Sequence, residues 1–118
     1  MKDSILKTKS YKFALRTIKL FQYLSNDKKE FVLSKQILRS GTSIGANIEE
    51  AYQAQSKADF IHKLSIANKE AFETHYWLRL LRDSKILEEK IAESLLTDCD
   101  ELQRILVSSI KTAKTKAE

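Results

Sequence analysis

The chain carries no proline in 118 residues and only two glycines. Proline breaks helices, and glycine supplies the frequent turns of strand-rich folds. A chain so poor in both reads as long helices joined by a few polar turns. Hydrophobic residues make up 42% of it, enough for a packed core and too many for a disordered chain. Its length predicts one domain over residues 1–118.

Cys99 is the only cysteine, which excludes a disulfide framework and a four-cysteine zinc site. Met1–Lys7 lacks the apolar run of a signal peptide. No stretch approaches the roughly 18 apolar residues that span a bilayer. The expectation is a cytoplasmic protein with a reduced Cys99 and no membrane partner.

A period of 3.6 predicts helices over about 7–24, 29–54, 57–83 and 88–114. Ser25-Asn26-Asp27, Gln55-Ser56 and Asp83-Ser84-Lys85 are the turn signals. Ser56 with Asp59 resembles a capping box. The predicted inner stripes are Tyr11, Ala14, Leu15, Ile18 and Phe21, then Leu33, Ile37, Ser40, Ile44, Asn47, Ile48 and Ala51. On the third helix they are Ile61, Leu64, Asn68, Ala71, Phe72, His75 and Leu78. On the fourth they are Ile91, Leu95, Cys99, Leu102, Leu106, Ser109, Ile110 and Ala113. Short connections make consecutive helices antiparallel neighbours. The expected fold is all-α, an up-down-up-down four-helix bundle.

The formal net charge is +5, and residues 1–30 hold all of that excess, with eight Lys/Arg against three Asp/Glu. Lys9, Lys12, Arg16 and Lys19 share one helical face. Such a ridge suits the phosphates of RNA or DNA, with Lys2, Lys7, Lys111, Lys114 and Lys116 as secondary contacts. It also suits a solvated polar face. The acids gather oppositely, as Glu88, Glu89, Glu93, Asp98, Asp100 and Glu101, and compete for the same cations. No helix-turn-helix or zinc-finger spacing is present, which argues against sequence-specific base reading.

The first and third helices carry more apolar residues than one inner stripe needs, and the second carries Leu38, Gly41, Gly45 and Tyr52 on a flank. Phe13, Leu20 and Leu24 lie off the predicted face of the first. Ile66, Trp77 and Leu80 lie off that of the third. These six are the expected interface of a homo-oligomer. Gly41 and Gly45 repeat at the small-residue spacing that lets helix backbones approach closely.

Asn47, Asn68 and His75 fall on inner stripes, which implies a satisfied polar network or a small-ligand pocket. No Glu-x-x-His pattern, phosphate loop, nucleophile elbow or dinucleotide fingerprint occurs. The expectation is a non-enzymatic protein without cofactor or metal.

The run Gln36 to Ala51 closely resembles the signature of the 23S rRNA-intervening-sequence protein family. Arg39, Ser43, Ile44, Asn47, Ile48 and Glu50 carry the match. The run from Asp59 to Thr74 is similar to the family's third helix. A glycine usual after the glutamate is Ala51 here, which predicts a longer second helix. The resemblance implies a bacterial, cytoplasmic protein that forms a ring-like homopentamer. A more distant branch, the accessory variability proteins of diversity-generating retroelements, binds nucleic acid and a reverse transcriptase. Two functions are expected on these grounds. One is non-specific RNA or DNA binding by Lys9, Lys12, Arg16 and Lys19, with Arg39 contributing or pairing with Glu50. The other is a homo-oligomeric scaffold for a protein partner.

Overall fold

The computed structural model describes residues 2–116, with side chains from Ile5 onward. It comprises α1 (Lys2–Asn26), α2 (Leu33–Ala51), α3 (Lys57–Asp83) and α4 (Glu89–Thr115). No strand occurs among the described residues. α1 and α3 each pack directly against both α2 and α4, whereas α1 and α3, like α2 and α4, lie diagonally across the core from one another. The four helices therefore ring one core, in a body of 51 × 21 × 20 Å.

The helix ends follow local chemistry. α2 starts at Leu33, later than the periodicity predicts. The Glu30 carboxylate accepts the backbone N–H groups of Val32, Leu33 and Ser34 at 3.2, 3.0 and 2.7 Å. An anion there satisfies orphan donors at the positive end of the helix dipole. α2 also ends at Ala51, so the missing glycine does not lengthen it. A tight turn follows, with Gln53 and Ala54 N–H donating to the carbonyls of Glu50 and Ala51. Tyr52 then packs edge-on against Phe60, 5.4 Å between centroids. Ser56 caps α3 by accepting the Asp59 N–H at 3.0 Å.

α1 turns a different face inward from the one its hydrophobicity suggests. Leu6, Phe13, Leu20 and Leu24 are buried, together with Ser10 and Thr17. Tyr11, Leu15 and Ile18 are exposed, Tyr11 to 64% and Leu15 to 47%. The cause is the pair of glycines on α2. A Cβ on Gly41 would lie 2.6 Å from Thr17 Cγ2, and one on Gly45 would lie 3.5 Å from Ser10. The small residues of the two helices meet, and the backbones close up. The hydroxyls are satisfied within α1: Thr17 Oγ1 donates to the Phe13 carbonyl at 2.9 Å, and Ser10 Oγ to Lys7 at 3.2 Å. Phe13, Leu20 and Leu24 are therefore core residues of the chain and not a surface for a second copy.

Elsewhere the inner stripes run largely as expected. Ile37, Ser40, Ile44, Ile48 and Ala51 of α2, Leu64, Ala71 and Leu78 of α3, and Leu95, Cys99, Leu102 and Leu106 of α4 are all buried. Phe72 and Ile91 are exceptions and face solvent. A buried Ser40–Thr74 hydrogen bond of 2.8 Å ties α2 to α3. Cys99 Sγ reaches the Ala71 carbonyl at 3.3 Å and ties α4 to α3.

Candidate functional site

The predicted basic ridge is split by its neighbour α4. Arg16 forms an ion pair with Asp98 at 2.7 Å and donates to Ser94 Oγ at 3.1 Å. Lys9 pairs with Glu101 at 3.3 Å. Lys12 and Lys19 point outward, exposed and without an ion pair among the described residues. Helical geometry explains the division: 9 and 16 lie on the α4 flank of α1, and 12 and 19 lie further round. Exposed pairs of this kind contribute only about 0–1 kcal/mol each. Lys7 pairs with Glu49 at 3.8 Å and lies 5.5 Å over the Tyr52 ring. The Lys2 side chain lies outside the described residues.

The family-motif residues divide between core and seam. Ile44 and Ile48 are buried. Arg39 bridges α2 to α3, with a short pairing to Glu73 and a contact to Glu70 at 3.6 Å. Glu50 pairs with Lys63 at 2.9 Å and raises that ammonium's pKa, so the expected Arg39–Glu50 pair does not form. Burial pushes the Glu70 carboxyl up, Arg39 opposes this, and Glu73 reinforces it. Ser43 Oγ donates to the Arg39 carbonyl and Asn47 Nδ2 to the Ser43 carbonyl, at 2.6 and 2.8 Å. Both side chains are thus engaged with their own helix.

Asn47, Asn68 and His75 do not meet in a pocket. His75 Nε2 lies 3.0 Å from Asp100, and its Nδ1 accepts from Arg79. Asn68 lines an open hollow between α3 and α4. The Cys99 thiol is pushed up to about 12 by burial, with Asp100 and Asp98 adding to the effect. It is a packed thiol and not a nucleophile at neutral pH.

Of the predicted interface residues on α3, Leu80 is exposed, while Ile66 and Trp77 are half-buried. Trp77 packs on the core, donates Nε1 to Glu73 at 3.1 Å and stacks edge-on with Tyr76. Two outward apolar stripes result. Tyr11, Leu15 and Ile18 form one on α1, and Phe72, Tyr76 and Leu80 form the other on α3. The first had the right spacing but the wrong side of the helix.

A second group of cations is Lys69, Arg104, Lys111 and Lys114, around the hollow between α3 and α4. The tail lysines were legible, but Lys69 and Arg104 were not. The available signal was the stretch after Glu101, which has no acid until Glu118.

The family model for the 23S rRNA-intervening sequence protein matches residues 2–108. A crystal structure from Bacteroides thetaiotaomicron, described as a protein with unknown function from the S23 ribosomal protein family, is 57% identical. It superimposes with a TM-score of 0.93, over 94% of this chain and 99% of that one. No functionally curated protein matches. With the signature on α2 and the four-helix ring both present, the chain belongs to the 23S rRNA-intervening sequence protein family.

Proposed function

We propose that the protein is a self-assembling helical scaffold of the bacterial cytoplasm that works by binding and not by catalysis. Copies join head to tail, the α1 stripe of one against the Tyr76 and Leu80 end of the α3 stripe of the next, with Phe72 left at the edge of the hollow between α3 and α4. The observation that carries this reading is the pair of separate apolar stripes on two helices that are not adjacent in the ring. A two-fold dimer needs one self-complementary patch. Two different patches on opposite flanks make a head-to-tail contact, which closes into a ring when the rotation permits. Five subunits is the closure implied by the family resemblance.

The helices of each subunit alternate up-down-up-down. Supporting this, the pairs Lys7–Glu49, Glu50–Lys63, Arg82–Glu93 and Arg16–Asp98 join neighbours whose numbering runs in opposite directions. The cytoplasmic assignment rests on the unpaired, buried Cys99 and the bacterial relative. No helix among the described residues is long and apolar enough to cross a membrane.

Light scattering tests the scaffold. The wild type is expected at a multiple of 13.6 kDa. Leu15→Glu and Tyr76→Glu are each expected to fall to the monomer mass with unchanged far-UV circular dichroism. A monomeric wild type overturns the reading.

A second reading is non-specific RNA or DNA binding. Lys12 and Lys19 favour it, since both are exposed and unpaired, while Lys9 and Arg16 are released from α4 at small cost.

A further inference from the structure

Two hollows of about 560 and 470 Å³ lie end to end between α3 and α4 and share Val107 and Lys111. Together they form one groove. Lys69, Arg104, Lys111 and Lys114 line it, and none has an ion pair among the described residues. The one acid on its wall, Asp100, is held by His75 at 3.0 Å. From residue 102 to 116 the chain has no acid at all. The groove thus carries four cations without an ion pair, whereas on the α1 ridge two of four are paired.

Its floor is mixed. Phe72 is 59% exposed and Val107 50% exposed, and Ser65, Asn68, Gln103 and Ser108 line the groove with them. We propose that this groove binds single-stranded nucleic acid. Phosphates meet the four cations, and an unstacked base lies on the Phe72 ring. The groove runs from Asp100 to Lys114, about 21 Å at 1.5 Å per residue, which accommodates a few nucleotides. A duplex is too wide to enter between two packed helices whose axes lie about 8–10 Å apart. An acidic amphipathic helix fits less well. It needs several apolar anchors at i, i+3, i+4 and i+7, and the groove offers two exposed ones, Phe72 and Val107, with Ile110 half-buried in its lining. The proposal rests on the nucleic-acid reading above and moves its principal site from α1 to the opposite flank of the bundle.

Fluorescence anisotropy with a labelled dodecathymidylate, on the full chain, tests it. Arg104→Gln with Lys111→Gln is expected to weaken binding at least tenfold, and Phe72→Ala several-fold. Lys12→Gln with Lys19→Gln should stay within twofold. For four phosphates on a single strand, the log–log salt slope should be about −2.8. Circular dichroism of each variant should match the wild type, since every substituted side chain is exposed. If the wild type leaves the oligonucleotide unbound at low salt, the groove and the nucleic-acid reading both fall. If Lys12 and Lys19 carry the binding while Arg104 and Lys111 are silent, only the groove falls. Equal competition by a poly-glutamate of matched charge overturns the nucleic-acid assignment in favour of an acidic protein partner.

Discussion

Gly41 and Gly45 share one helix and one face, yet a methyl group at each meets different surroundings. At Gly41 it runs into Thr17, a short, β-branched and buried side chain with little room to turn away. At Gly45 it makes an ordinary contact with Ser10. Overpacking costs about 1–3 kcal/mol, and replacing a helical glycine by alanine returns about 1 kcal/mol. Gly41→Ala is therefore expected to lower stability by up to about 2 kcal/mol, and Gly45→Ala to raise it by up to about 1 kcal/mol. Urea unfolding of both variants checks the opposite signs. The close-packing role of these glycines was legible from their spacing. The partner helix was not, because a glycine pair says that something approaches and not what. Glu30 was missed for a related reason. Its three N–H contacts depend on a turn, with Lys29 at a φ of 56°, that no side-chain pattern announces.

At the level of elements, α1 is where sequence reading and structure part. The helix offers two apolar stripes of similar strength. The buried one contains Ser10 and Thr17, so a hydrophobicity count favours the other. What decides is complementarity with α2: small hydroxyl residues opposite glycines bring the helices together, and Phe13, Leu20 and Leu24 follow inward. α2 has one dominant apolar stripe, and its Ile37, Ser40, Ile44, Ile48 and Ala51 are buried as the periodicity predicts. The consequence is measurable in a Tyr76→Glu background, which keeps the chain monomeric on this account. Phe13→Ala is expected to cost about 3–5 kcal/mol of folding stability. Leu15→Ala there should stay within about 0.5 kcal/mol. Thermal unfolding with these effects reversed returns Phe13 to the surface. The family signature gains a physical meaning at the same scale. Ile44 and Ile48 fill the core, and Arg39 and Glu50 bind α2 to Glu70, Glu73 and Lys63 on α3.

For the whole molecule, the scarcity of proline and glycine led directly to the four-helix ring, because long helices with short connections have few other ways to cover an apolar face. The distribution of charge was less legible. A sequence shows where cations cluster along a helix, but a neighbouring helix determines which of them remain unpaired. α4 takes up Lys9 and Arg16 and leaves its own C-terminal half positive. The same limit applied to the apolar surplus, where an excess was visible but its outward side was not. Head-to-tail assembly through α1 and α3 is tested most directly by mixing two damaged subunits. Leu15→Glu retains its α3 stripe, and Tyr76→Glu retains its α1 stripe. Light scattering of each alone should give the monomer mass, and an equimolar mixture should give a one-to-one dimer held by the single intact contact. A mixture that stays monomeric, or either variant alone forming the wild-type assembly, contradicts it.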